Sequence, residues 1–216
     1  MIKNRNSSSH RSREHGYALP YKLACEQLTK ISDIEEQCRK SGARYIPPNE
    51  VLINYLNQIY HITLPGGEIL LEDSNVEVPL KDKILILHYF NSAKGTPATG
   101  VLVTYKQLSG GVSYFPAFSQ RAIAPFVNHF GKNPELLTKV AAKLGGFESD
   151  QGDVSVTINA FDYVPITLVL WRGDEEFDPS GNILFDASIS DYLTTEDVAV
   201  LTETITWKLV KGIPSA

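Results

Sequence analysis

Apolar and polar positions divide the chain into segments of helical period and segments of strand-like alternation. From Pro20 to Ser41, Ala24, Leu28, Ile31 and Cys38 share one helical face, with Pro20 in the first turn and Gly42 just past the end. Ala43 to Ile46 is short and extended before Pro47-Pro48 breaks it. From Glu50 the texture changes. Val51–Leu56 and Gln58–Leu64 are β-rich, Pro65-Gly66-Gly67 provides a turn, and Glu68–Glu72 returns as the partner of an antiparallel meander. Pro79 to Phe90 carries a stripe of Leu80, Ile84 and Leu87 that predicts a helix, although Ile84–Leu87 alone would also suit a buried strand. Val101–Tyr105 reads as a short strand and Gly110-Gly111 as a turn.

In the second half, Phe118, Ala122, Phe126 and Phe130 align at helical spacing over Ala117–Phe130, with Pro125 expected to kink or restart that helix. Asn133-Pro134-Glu135 opens another helix, which runs to Leu144. Asp153–Phe161 alternates Val154, Val156 and Ile158 with Ser155, Thr157 and Asn159, the mark of a strand. The next strand is the apolar run from Pro165 to Trp171, which passes directly into Arg172-Gly173-Asp174-Glu175-Glu176-Phe177. Thr194 and Asp197 form a capping-box pair ahead of Val198, Leu201, Ile205 and Leu209, the buried face of a last helix. The order predicts an α+β fold: a single domain over residues 17–212, with a mostly antiparallel sheet and four to five flanking helices.

Charge adds one division to this picture. Residues 1–16 carry a balance of +3 and read as a flexible basic tail, which leaves the body at −8 within the overall −5. An acidic body argues against nucleic-acid binding. No apolar run approaches the ~18 residues of a membrane span and no signal peptide is evident, so a cytoplasmic protein is expected. Cys25 and Cys38, placed on one continuous helix, would lie about 20 Å apart and stay free thiols. Two cysteines do not make the usual four-ligand iron–sulfur site, so no cluster is expected in this chain.

Phosphate-loop, dinucleotide, zinc-protease and serine-hydrolase signatures are absent. His61, His88 and His129 are scattered and read as satisfied, partly buried histidines rather than ligands. The one dense constellation is acidic. A hairpin around Asp178-Pro179-Ser180-Gly181 with Phe177 opposite Asn182 would bring Asp186 opposite Gly173 and diagonal to Glu175. Asp174, Glu175, Glu176 and Asp186 are therefore candidate ligands for Mg²⁺, Ca²⁺ or Mn²⁺. The same carboxylates also suit a solvated strand end that caps helices or pairs with Arg121 or Arg172, or a docking surface for a basic partner. Tyr114 and Arg121, with Phe115 and Phe118 around them, and Trp171 are candidate ligand-binding residues, since aromatic side chains around an arginine can hold an anion.

The segments Trp171–Phe177, Asn182–Asp186, Tyr192-Leu193 and Glu196-Asp197 resemble those of an uncharacterised family, a domain of unknown function of anaerobic bacteria and archaea. His88-Tyr89-Phe90, Gly110-Gly111 with Tyr114, Ala117-Phe118 with Arg121, Leu144-Gly145-Gly146 and Gly152-Asp153 agree with the same pattern, over about residues 19–210. The resemblance implies association with iron–sulfur or corrinoid proteins in anaerobic redox or one-carbon metabolism. It assigns no catalytic residue. Two functions are carried forward: a non-catalytic ligand- or partner-binding accessory domain, and a divalent-cation-dependent enzyme using Asp174–Glu176 and Asp186.

Overall fold

The computed structural model describes the backbone of residues 6–214 and the side chains of residues 16–214. The chain is α+β, with every strand pairing antiparallel. Helix α1 (Asn6–Leu28) starts inside the segment read as a tail, whose first five residues lie outside the described ones. It stops at Leu28, and α2 (Ile34–Ser41) begins afresh after five intervening residues. The expected continuous helix is therefore two. Asp33 restarts the chain by accepting the Glu36 N–H at 2.9 Å, and Gly42 closes α2 with φ 70°. Ala24, Leu28 and Cys38 still face the core as the apolar spacing required, and both cysteines are free, now on separate helices.

The meander forms as expected. Strands β1 (Arg44–Ile46), β2 (Glu50–Tyr55), β3 (Gln58–Thr63) and β4 (Glu68–Leu71) make one sheet in that order. Val51, Ile53 and Tyr55 alternate inward on β2. Leu56 and Asn57 turn the chain into β3 with φ of 50° and 61°, the two positive values of a tight hairpin turn. Then come α3 (Leu80–Ser92) and β5 (Leu102–Thr104).

The expected helix over Ala117–Phe130 starts earlier, as α4 (Gly111–Phe118), and continues through a π-helical segment, Ser119–Ile123, into α5 (Ala124–Phe130). Pro125 has no N–H to donate. The widened turns ahead of it carry the helix past that gap, with the Ala124 N–H bonded to the Ser119 carbonyl. Helix α6 (Glu135–Ala141) follows, and then β6 (Phe147–Glu148), β7 (Val154–Phe161), β8 (Val164–Trp171) and β9 (Ser180–Asp186). The second sheet runs β5-β9-β8-β7-β6. Strand β8 is central and buried almost throughout. Each of Val164, Ile166, Leu168, Val169 and Leu170 is sealed from solvent, worth about 1.5–3 kcal/mol apiece. The second face of β7 is also buried, where Thr157 and Thr167 hydroxyls pair at 2.8 Å. Helix α7 (Thr195–Lys211) closes the chain behind the expected Thr194–Asp197 box.

The two sheets meet where the Leu56 N–H donates to the Ala160 carbonyl at 2.9 Å, at the irregularity that β7 carries between Asn159 and Phe161. Around that junction Tyr55, Phe161, Tyr89 and Tyr192 stack in sequence, with centroids 5.0, 4.0 and 5.6 Å apart. The stack joins both sheets to α3 and to the turn before α7, each pair adding ~0.5–1.5 kcal/mol beyond its area. Helix α1 lies on α3, where Asn91 Nδ2 donates to the Ala24 carbonyl at 2.9 Å.

Candidate functional site

The register of β8 with β9 decides the acidic constellation. Phe185 sits opposite Ile166 and Ser180 opposite Trp171, so β8 ends at Trp171 and the acidic residues fall in the loop beyond it. Asp186 lies at the other end of the strand pair, ~20 Å from that loop at ~3.3 Å per residue. The expected approach of Asp186 to Gly173 and Glu175 does not occur, and the four acidic candidates do not share a site. Gly173 to Asp178 is an exposed loop that Asp174 itself organises: its Oδ1 accepts the N–H of Glu176 and of Phe177, both at 2.8 Å. These two bonds hold its carboxyl below the usual range. Arg172 turns away to pair with Glu135.

Asp186 is a structural carboxylate. It accepts the Thr99 N–H and hydroxyl (3.0 Å each), the Gly100 N–H (2.7 Å), and the Ser188 N–H (2.9 Å) and hydroxyl (2.7 Å). Burial pushes its carboxyl up, but the bonds from Thr99 and Ser188 outweigh that and bring it down to about 2. Its lone pairs are committed to tying the loop ahead of β5 to the turn after β9. Among the described residues no three His, Cys, Asp or Glu side chains gather as a cation site.

Of the proposed ligand-binding residues, Tyr114 stands exposed on α4 and Arg121 is bound to Glu203 of α7, with Nε at 3.0 Å from Oε2. Trp171 marks the end of β8, 41% exposed and beside Gly152. Tyr114 and Arg121 occur two turns apart on one helical run, and no cation–π contact joins Trp171 to Arg121 among the described residues. The three do not make one site.

A different set of residues does. On α3, Lys81, Ile84, Leu85 and His88 fall at i, i+3, i+4 and i+7, one stripe of the helix. They form one wall of a cleft of about 300 Å³. Thr194, Glu196, Asp197 and Val200 at the start of α7 form the facing wall, and Tyr17 and Pro20 of α1 complete it. At one end, His88 Nδ1 lies 2.7 Å from Asp197 Oδ1. A carboxylate only accepts, so Nδ1 carries the hydrogen and Nε2 is the nitrogen left to act on a ligand. The other oxygen of Asp197 accepts the Thr194 hydroxyl at 2.6 Å, within the capping box. One buried carboxylate thus starts α7 and orients the imidazole. The bond to Asp197 raises the His88 pKa above its ordinary value against the opposing effect of burial. Burial would raise the Asp197 carboxyl, yet its bonds to His88 and Thr194 hold it below the usual range.

The sequence marked Asp197 as a cap and His88 as a satisfied histidine, and both hold. The pairing itself joins residues 109 apart, and no local signal announces it. His61 and His129 are also satisfied: His61 Nδ1 lies 2.8 Å from Glu50 Oε1, and His129 Nδ1 lies 2.7 Å from the Pro125 carbonyl.

No helix among the described residues is long and apolar enough to cross a membrane. No curated protein and no solved structure is similar enough to this chain to be matched. One family model does match, over residues 33–207, and it takes in α2 to α6, most of α7 and every residue of the cleft except Tyr17 and Pro20. The chain belongs to the family described as Domain of unknown function (DUF3786).

Proposed function

We propose that this protein is a non-catalytic, small-molecule-binding accessory domain, and that the cleft between α1, α3 and α7 is its ligand site. The observation that carries this reading is the convergence of a few polar groups in an otherwise apolar recess. His88 is pre-oriented by Asp197, Lys81 and Glu196 stand at the rim, and Ile84, Leu85, Pro20 and Val200 provide the walls. A side chain already held in its binding orientation costs little entropy when a ligand arrives, which is how such sites gain affinity. The family resemblance supports a role in anaerobic redox or one-carbon metabolism, with an iron–sulfur or corrinoid protein as partner. The exposed, negatively charged loop Asp174–Asp178 is the surface we assign to that partner.

The test is a thermal-shift screen of small organic acids, alcohols and amines against the wild type and V200F. Val200 is only half-buried, so the larger ring fills the cleft without overpacking the core. A ligand present at about 100 times its Kd stabilises by ~2.7 kcal/mol, a plain shift in Tm. Shifts that V200F abolishes support the cleft. Shifts that persist in a folded V200F place binding elsewhere and overturn it.

A further inference from the structure

The cleft is polar along its length, and that polarity constrains what it takes. Helices α3 and α7 run antiparallel past one another: His88 meets Asp197 near the start of α7, while Asp82, six residues earlier on α3, feels the charge of Lys208 near the end of α7. Lys81 therefore stands at the opposite end of the recess from His88, ~10 Å away along the helix at ~1.5 Å per residue. Ile84, Leu85 and Val200 line the space between. Beside Lys81, Asp82 does not line the cleft: it is buried against the Tyr55 hydroxyl, 3.2 Å away. At the His88 end, Glu196 and Asp197 balance the imidazole.

From this layout, and resting on the cleft being the ligand site, we propose that the ligand is a short amphipathic anion. Its carboxylate or phosphate meets Lys81, its apolar body of a few carbons lies on Ile84, Leu85 and Val200, and an uncharged hydroxyl group donates to His88 Nε2. A recess of about 300 Å³ is at the small end of ligand clefts, which suits a body of a few carbons. An anion at the His88 end would face two carboxylates, and a cation at the Lys81 end would face the Lys81 ammonium. The ammonium of Lys81 binds carboxylate and phosphate by the same charge-assisted bond, so an ω-hydroxyalkanoate and its phosphate counterpart stand for the two sources of that chemistry.

The experiment follows backbone amide NMR shifts of the full chain during titration with 6-hydroxyhexanoate, 6-hydroxyhexyl phosphate, 1,6-hexanediol and 6-amino-1-hexanol. The anionic probes should perturb residues 81–88 and 196–200 and bind about tenfold more tightly than the diol, with the better of the two naming the acid. K81M should remove that advantage, so that the anions bind no better than the diol. Equal binding of the diol or the amine, or an unaltered preference in K81M, overturns the assigned polarity and leaves the cleft standing. If no probe perturbs these residues, the ligand class and the cleft reading fall together.

Discussion

Asp197 Oδ1 lies 2.7 Å from His88 Nδ1, while Asp197 Oδ2 lies 2.6 Å from the Thr194 hydroxyl. The side chain that fixes the first turn of α7 also fixes the imidazole of α3. Helix initiation, helix packing and the shape of the cleft therefore depend on one carboxylate. Replacing it by alanine removes a cap, at ~1 kcal/mol, and leaves polar groups of Thr194 and His88 short of a partner at ~1–3 kcal/mol. Asp197→Ala should lower unfolding free energy by about 2–4 kcal/mol in urea titration, and His88→Gln, which spares the cap, by about 1 kcal/mol.

The pair also gives stability a pH dependence whose sign is fixed. The folded-state pKa of His88 is raised, so its contribution is fully present below the unfolded value, ~6.5, and is lost as pH rises through the folded value. The folded-state pKa of Asp197 is lowered, so its contribution is present above the unfolded value, ~3.9, and is lost as pH falls through the folded value. Wild-type stability should decline on going from pH 6.5 into the alkaline range. In His88→Gln that decline should flatten, as measured by urea midpoints across the series.

Asp186 governs the acid limb. With a folded pKa of about 2 against ~3.9 unfolded, it contributes about 2–3 kcal/mol above pH 4, lost as pH falls through 2. Asp186→Asn should reduce the acid-induced loss of stability between pH 4 and pH 2. Asp186→Ala should cost about 3 kcal/mol or more at neutral pH, because the Thr99, Gly100 and Ser188 donors lose their acceptor.

The acidic loop should behave as an exposed turn. Glu175→Gln and Glu176→Gln should each change stability by less than about 0.5 kcal/mol, while Asp174→Ala should cost more because it removes the acceptor of two backbone N–H groups. Millimolar Mg²⁺, Ca²⁺ or Mn²⁺ should leave the wild-type Tm unchanged. A shift that Asp174→Ala abolishes would show a cation bound at this loop without Asp186.

What the sequence revealed follows the range of the interactions. Alternation over Val51–Thr63, the apolar run into Trp171 and the Thr194–Asp197 box are local patterns, and each appears at the expected place. The break after Leu28 is masked in the sequence because the buried residues on either side keep helical spacing across it, although Asp33 has the chemistry of a cap. The β8–β9 register was misjudged for a different reason. Side-chain period alone does not say where a strand ends, and here Asp174 folds its own loop immediately beyond Trp171. The site itself arises only from packing α3 against α7, which no spacing within either helix encodes.

The most direct measurement of the central claim is a ¹⁵N-resolved titration of the His88 imidazole in the wild type and Asp197→Asn. With Asp197 orienting the ring, Nδ1 should stay protonated across the titration, Nε2 should gain and lose the proton, and the midpoint should lie above ~6.5 and fall in the variant. A midpoint at or below that value, or one that Asp197→Asn leaves unmoved, would contradict a cleft organised by this pair.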